Sequence, residues 1–168
     1  MTDLREWLSE ANGLGQLQEI VGVHWDLELA TLIELLNERK KPRPAVLFDS
    51  IVGYPQGYRV AANLLSSVNR LSLTVGMSPK LTEFEFIQKW RRRVKKIEAI
   101  EPEMASDGPL FENVMRGSDI DLFHFPVPRW HELDGGRYIG TDDLVVTKDP
   151  DEGWTNVGTY RVMVHHRD

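Results

Sequence analysis

Residues 121–164 read DLFHFPVPRWHELDGGRYIGTDDLVVTKDPDEGWTNVGTYRVMV, a stretch punctuated throughout by prolines and glycines. Short apolar runs at Leu122–Phe125, Tyr138–Ile139, Leu144–Thr147 and Val157–Val164 alternate with prolines and glycines. Short strands with frequent turn signals predict a β-rich sheet or barrel. Pro126 and Pro128, one residue apart, predict a stiff extended segment that presents His131 at a defined place. Asp134-Gly135-Gly136-Arg137 predicts a turn. Its glycines permit positive φ and close backbone approach, and an Asp134–Arg137 ion pair would rigidify it. The acidic stretch between Thr147 and Trp154 predicts an exposed hairpin. In the last strand, alternation places Asn156, Gly158 and Tyr160 on one face and Val157, Thr159 and Arg161 on the other.

Upstream the texture is helical as well as strand-like. Asp3 is placed to cap a short helix through Glu10, which Gly13 and Gly15 end. Leu17–Val23 is expected to be a short strand or turn. Leu27–Arg39 reads as a helix with Leu29, Leu32, Ile33 and Leu36 on one stripe, stopped by Lys40, Lys41, Pro42 and Pro44. Ala45–Ile51 is a compact apolar run, expected as a buried strand, followed by a tight turn at Gly53, Pro55 and Gly57. Tyr58–Leu65 is a further strand candidate. Ser66 or Ser67 is placed to cap a helix to about Val75. Thr82 and Glu85 form a capping box, after which Ile87, Trp90, Val94 and Ile97 recur at helical spacing. Arg91, Arg92, Arg93, Lys95 and Lys96 crowd the rest of that helix, which reads as a solvated face, with a phosphate or partner site as the alternative. The texture changes after Pro102, and the boundary between the two regions falls near 105–118.

The chain has 168 residues with 26 acidic and 20 basic side chains, a formal net charge of −6. That balance argues against a dedicated nucleic-acid binder, whose footprint is basic. With 41% hydrophobic residues there is enough to pack a core. No apolar run is long enough to span a bilayer. The acidic, amphipathic N-terminus does not read as a targeting peptide, so a soluble cytoplasmic protein is expected. Cysteine is absent, which excludes disulfides, thiolate metal sites and a cysteine nucleophile. The second region, about 50 residues, is too small for an independent core, and its last strand runs on with no closing turn.

Several residue types in this region can carry chemistry. An Asn156 amide oxygen suits a hard divalent cation, Gly158 leaves room for a flat ligand near the backbone, and Arg161 can hold a carboxylate through two parallel hydrogen bonds. Asp149, Asp151 and Glu152 are hard oxygen ligands but lack EF-hand spacing, so a solvated turn is the simpler reading. His131 has acid–base capacity, though a lone histidine is more often structural. His165 and His166 would point apart on a regular strand.

Together the succession P-x-P, H-x-x-D-G-G-R-Y-I, T-K-D-P and N-x-G-x-Y-R resembles the UbiD family of decarboxylases. PAVLFDSIVGYPQGYRVAANLLSSVNRLSLTVGM resembles the family's N-terminal domain. The resemblance implies an α/β (α+β) protein: an N-terminal mixed α/β domain over 1–112, then from 113–168 the start of a β-rich split-barrel flavin-binding domain. It further implies reversible decarboxylation of an aromatic, heteroaromatic or α,β-unsaturated carboxylic acid through a covalent adduct with prenylated FMN, with Mn2+ and K+ at the flavin phosphate. By position, Asn156 matches the family's asparagine metal ligand. Thr159, Tyr160 and Arg161 match the strand against the flavin, and Arg161 matches the arginine beside the reacting carboxylate. Asp134, Gly135, Gly136 and Arg137 match architecture of the flavin domain, and the family gives His131 no catalytic role.

Family chains are longer. A second, glutamate metal ligand and the acidic residues that hydrogen-bond the catalytic arginine and deliver the proton lie beyond N-x-G-x-Y-R. Two readings follow. In one, the chain is the N-terminal part of such a decarboxylase. The remaining C-terminal part comes as a second polypeptide or segment, a flavin prenyltransferase supplies the cofactor, and the complete enzyme forms a homo-oligomer. In the other, it is a non-catalytic structural or regulatory subunit with the same N-terminal fold. A metal-assisted hydrolase using His131, Asp134 and the 149–152 carboxylates is a distant third.

Overall fold

The structure, a computed structural model, describes residues 3–39, 41–101 and 106–167. Lys40 and Pro102, invoked above as a helix stop and a change of texture, lie outside the described residues. The element order is α1 (Leu4–Gly13), β1 (Leu17–Val21), α2 (Glu28–Arg39), β2 (Ala45–Asp49), β3 (Val60–Ala62), α3 (Val68–Thr74), α4 (Glu83–Val94), three 3-10 turns, then β4 (Arg137–Lys148) and β5 (Thr155–Val164). The mixed α/β class read from sequence is the one observed. No helix among the described residues is long and apolar enough to cross a membrane.

Two compact units are assembled from discontinuous segments. One gathers the described residues among 1–18, 40–45 and 63–120, and carries α1, α3 and α4. Asp3 caps α1 by accepting from the Glu6 amide at 2.9 Å. Ser67 caps α3, its hydroxyl accepting from the Arg70 amide. Trp7, Leu8, Ala11, Ala45, Leu73 and Leu81 are its buried apolar residues among those described, and the Trp7 indole donates to Thr74 Oγ1 at 3.0 Å.

The capping box of α4 is complete. Glu85 N donates to Thr82 Oγ1 at 3.3 Å, and Thr82 N donates to the Glu85 carboxylate at 2.9 Å. These bonds from the Thr82 amide and hydroxyl hold the Glu85 carboxyl below its ordinary range. The box therefore contributes above the usual Glu titration and is lost as pH falls through the lowered folded value. No residue of α4 is buried, so capping carries an unusual share of its stability. Thr82→Ala is expected to cost about 1 kcal/mol locally. Amide exchange in α4 should speed up roughly fivefold; unchanged exchange would mean that packing holds the helix instead.

The other unit gathers 19–39, 46–62 and the described residues of 121–168. Its three-stranded sheet has the order β1-β2-β3, with β2 and β3 antiparallel and Leu47 opposite Ala61. As the central strand, β2 is buried along Ala45–Phe48, which explains its unbroken apolar run. Val46 and Phe48 join Val23, Leu29 and Ile51 in the core, and Leu32, Ile33 and Leu36 of the α2 stripe pack against it. The Tyr58–Leu65 strand shrinks to Val60–Ala62, with Asn63 at φ 57 turning the chain.

Leu122–Phe125 is not a strand. Leu122–His124 forms a 3-10 turn in which Asp121 accepts from the Phe123 amide at 2.9 Å. An aspartate that caps its own backbone competes with extended structure, and the prolines that follow cannot donate to a ladder. The downstream runs at Tyr138–Ile139 and Leu144–Thr147 belong to a single strand, β4, interrupted by two register shifts between Tyr138 and Asp143.

Candidate functional site

The residues singled out for chemistry sit on the β4–β5 hairpin and on the turn that precedes it. The hairpin is antiparallel, with Thr147 opposite Asn156, Leu144 opposite Thr159 and Asp143 opposite Tyr160. Its turn is closed by Asp149, whose amide donates to Trp154 O at 2.9 Å. The Asp149 carboxylate accepts from the amides of Asp151 and Glu152. That carboxylate is engaged by its own backbone. Among the described residues no group of three His, Asp or Glu side chains is placed to hold a metal, so His131, Asp134 and the 149–152 carboxylates do not converge on a common metal position.

On β5 the face shared by Asn156, Gly158 and Tyr160 is half covered, Asn156 and Gly158 being half-buried and Tyr160 exposed. The space above Gly158 is taken by a flat group, the Tyr160 ring, whose Cε2 would lie 2.7 Å from a β-carbon at 158. The other face is open and apolar: Leu144, Val146 and Val157 are 67%, 61% and 56% exposed and share that face by register.

Arg161 does not hang free. Its Nη2 donates to both Asp134 oxygens, at 3.1 and 3.2 Å, and its guanidinium carbon lies 4.0 Å from the Tyr138 ring centroid. Asp134 Oδ2 also accepts from the His131 amide at 3.0 Å. Burial pushes the Asp134 carboxyl up, but the hydrogen bonds from Arg161 and the His131 amide outweigh it and leave the group below its ordinary range. The expected Asp134–Arg137 pair is therefore replaced. Asp134 takes Arg161, and Arg137 enters an aromatic slot with its carbon 3.9 Å from the Trp25 ring centroid and 4.9 Å from that of Phe123.

Sequence reasoning missed this exchange of partners. The available signal was the glycine pair. Neither Gly135 nor Gly136 has positive φ; instead a β-carbon on Gly136 would meet Met163 Sδ at 3.0 Å. The glycines serve close approach of the turn to β5, and that approach delivers Asp134 to Arg161. Arg129 was likewise unread: its Nε donates to Asp26 at 2.6 Å and holds that carboxyl below its usual range, while backbone bonds join Arg129 to Trp25 and Leu27. His131 lies 3.7 Å from Glu34 in an exposed pair.

Comparison with known proteins matches two successive stretches of the chain to domains of one family. Residues 8–90 match the 3-octaprenyl-4-hydroxybenzoate carboxy-lyase N-terminal domain, and residues 103–168 match the Rift-related domain of the same carboxy-lyase. The chain is similar to a pyrrole-2-carboxylic acid decarboxylase of Pseudomonas aeruginosa, 32% identical over 99% of this chain and 34% of the relative. It is 35% identical to a phenolic acid decarboxylase of Sedimentibacter hydroxybenzoicus, over 99% of this chain and 35% of the relative. The vanillic acid decarboxylase of Sedimentibacter hydroxybenzoicus, in its closed form, superposes with a TM-score of 0.87 at 33% identity, covering all of this chain and 36% of that one. An evolved dimeric form of the UbiD-class enzyme HmfF from Pelotomaculum thermopropionicum, in complex with prFMN, shares the fold with a TM-score of 0.78 at 24% identity, over 37% of its chain. The chain thus spans about a third of the length of the relatives it matches. With the family's N-terminal and Rift-related domains matched in order and the fold shared along this chain, the chain belongs to the UbiD family of carboxy-lyases.

Proposed function

We propose that this chain is the N-terminal part of a reversible decarboxylase that removes CO2 from an aromatic, heteroaromatic or α,β-unsaturated carboxylic acid with the help of prenylated FMN. The observation that carries the reading is Arg161. It is braced on one side by Asp134 and Tyr138, while its Nε and Nη1 have no partner among the described residues. A guanidinium with donors still on offer is suited to a carboxylate. Family membership supports the rest.

On this reading the residues divide the work. Arg161 binds and orients the acid's carboxylate. Thr159, Tyr160 and Arg161 belong to the strand that lies against the flavin, and Asn156 coordinates through its amide oxygen the divalent cation, Mn2+, that with K+ holds the flavin phosphate. One amide oxygen fits such a site as a single ligand of several, since hard cations take six or more oxygens. When bound, the modified flavin supplies an electron sink for the pair released as CO2 leaves. The flavin-binding domain begins near residue 113. Its uncovered apolar face at Leu144, Val146 and Val157 supports the presence of further polypeptide, because a lone two-stranded ribbon is marginal in water. A flavin prenyltransferase supplies the cofactor, and the complete enzyme is a homo-oligomer.

Asn156→Ala is expected to lower manganese and flavin occupancy of the assembled enzyme together, by about tenfold or more. Metal analysis and the flavin absorbance band measure this. Unchanged occupancy would remove Asn156 from the ligand set.

A further inference from the structure

The turn from Pro126 to Tyr138 is anchored at one end and carries a carboxylate at the other. Pro126, Val127 and Pro128 are buried, and the Tyr138 amide donates to Pro128 O at 2.9 Å. Arg137 locks the same end: its Nε donates to Val127 O at 2.6 Å and its Nη2 to the Tyr54 hydroxyl at 2.5 Å, with Trp25 and Phe123 against its plane. Asp134 closes the free end on itself, its amide donating to His131 O at 3.1 Å and its Oδ2 accepting from His131 N. Gly136 lets this end lie against Met163 of β5.

We propose that Asp134 is a positioning residue for Arg161, fixing the guanidinium so that its remaining donors meet the substrate carboxylate. The inference rests on the reading of Arg161 as the carboxylate binder. The Asp134 side chain is only 9% exposed whereas that of Arg161 is 45% exposed, so the fixed member of the pair is the acid. An arginine on an open ribbon otherwise samples many rotamers, which binding would have to freeze. Asp134 and the Tyr138 ring freeze it beforehand. Since both Asp134 oxygens engage Nη2 alone, the contact orients the fork without occupying it. The negative charge also tempers ground-state attraction for a second carboxylate. On KM the freed rotamers and the lost repulsion act in opposite senses, so loss of Asp134 should lower kcat per flavin-loaded site with KM little changed, whereas simple unfolding only removes sites and leaves the rate per loaded site as it was.

The test has two arms. In the 168-residue chain, the carboxyl carbon of Asp134 is titrated by NMR in the wild type and in Arg161→Gln, an exposed substitution that spares the core. The midpoint should lie below the ordinary Asp range in the wild type and rise in the variant; the same midpoint in both overturns the pair and the proposal. In the assembled enzyme, Asp134→Asn should lower kcat per bound flavin at least tenfold with KM little changed and flavin loading unchanged. Wild-type kcat in Asp134→Asn beside an inactive Arg161→Ala overturns the positioning role alone. Wild-type kcat in Arg161→Ala overturns the reading of Arg161 and this role with it.

Discussion

Arg161→Ala in the assembled enzyme is expected to abolish decarboxylation while the protein stays folded and flavin-loaded. The fold should survive because Arg161 is an exposed strand residue whose contacts are one carboxylate and one ring face. The variant leaves Asp134 without its cation, yet Asp134 keeps the His131 amide and sits at the edge of a turn anchored elsewhere. The chemistry should not survive, because nothing else on β5 offers a cation to an incoming carboxylate. Removing one well-aimed donor from a reacting group costs about a hundred- to a thousandfold. Here the lost group also fixes substrate orientation, so about a thousandfold or more is expected. Arg161→Lys keeps the charge but loses the fork, and should recover only a small part of the rate. The assay is CO2 release from a panel of aromatic and unsaturated acids, with flavin absorbance read on the same sample. Near-normal turnover would remove Arg161 from the site.

The largest stability effect is expected at Arg70, in the unit that carries α1, α3 and α4. Arg70 is fully buried, with relative exposure of 0%. Its Nε donates to Leu64 O at 2.8 Å, its Nη1 to Gln16 Oε1 at 3.0 Å, and its Nη2 to Arg43 O at 2.7 Å and Asn63 O at 3.0 Å. No ion pair to it is found among the described residues, and burial alone pushes its pKa down. It is a cation solvated by carbonyls, tying three separate stretches of chain to α3. Arg70→Leu leaves these buried acceptors unpaired, at about 1–3 kcal/mol for each one that water cannot reach. A total loss of about 3–5 kcal/mol is expected, enough to consume much of a small domain's stability. Arg70→Lys has the charge but cannot span the same acceptors, and should restore less than half. Urea denaturation of the chain measures both; a loss under about 1 kcal/mol would mean that water reaches the carbonyls.

The parts of this structure legible in the sequence are those governed by local rules. The Thr82–Glu85 box, the Asp3 and Ser67 caps, the α2 stripe and the buried β2 run each follow from neighbours within a few residues. Failures occur where a distant partner decides. Periodicity reads β4 as two fragments, because a register shift around Gly140, with the Asp143 carboxylate folded over it, breaks the alternation without breaking the strand. Arg70 has no local signature: an arginine on a short helix is normally exposed, and its burial depends on carbonyls from residues 43, 63 and 64. At the site, alternation correctly puts Arg161 away from Asn156 but cannot say that Asp134, 27 residues earlier, will meet it. The nearer Arg137 is drawn off by aromatic faces at Trp25 and Phe123, which a local charge-pairing rule does not see.

If these residues work inside a prenylated-FMN enzyme, the cofactor and the rest of the enzyme accompany the chain. Native followed by denaturing mass spectrometry of the protein purified from its own cells tests it most directly. The chain is expected to travel with further polypeptide, covalently continuous or separate, and the native mass to exceed the polypeptide total by a prenylated flavin and a divalent metal. A 168-residue chain found alone, with no flavin mass, would contradict it and leave the UbiD fold serving a non-catalytic role.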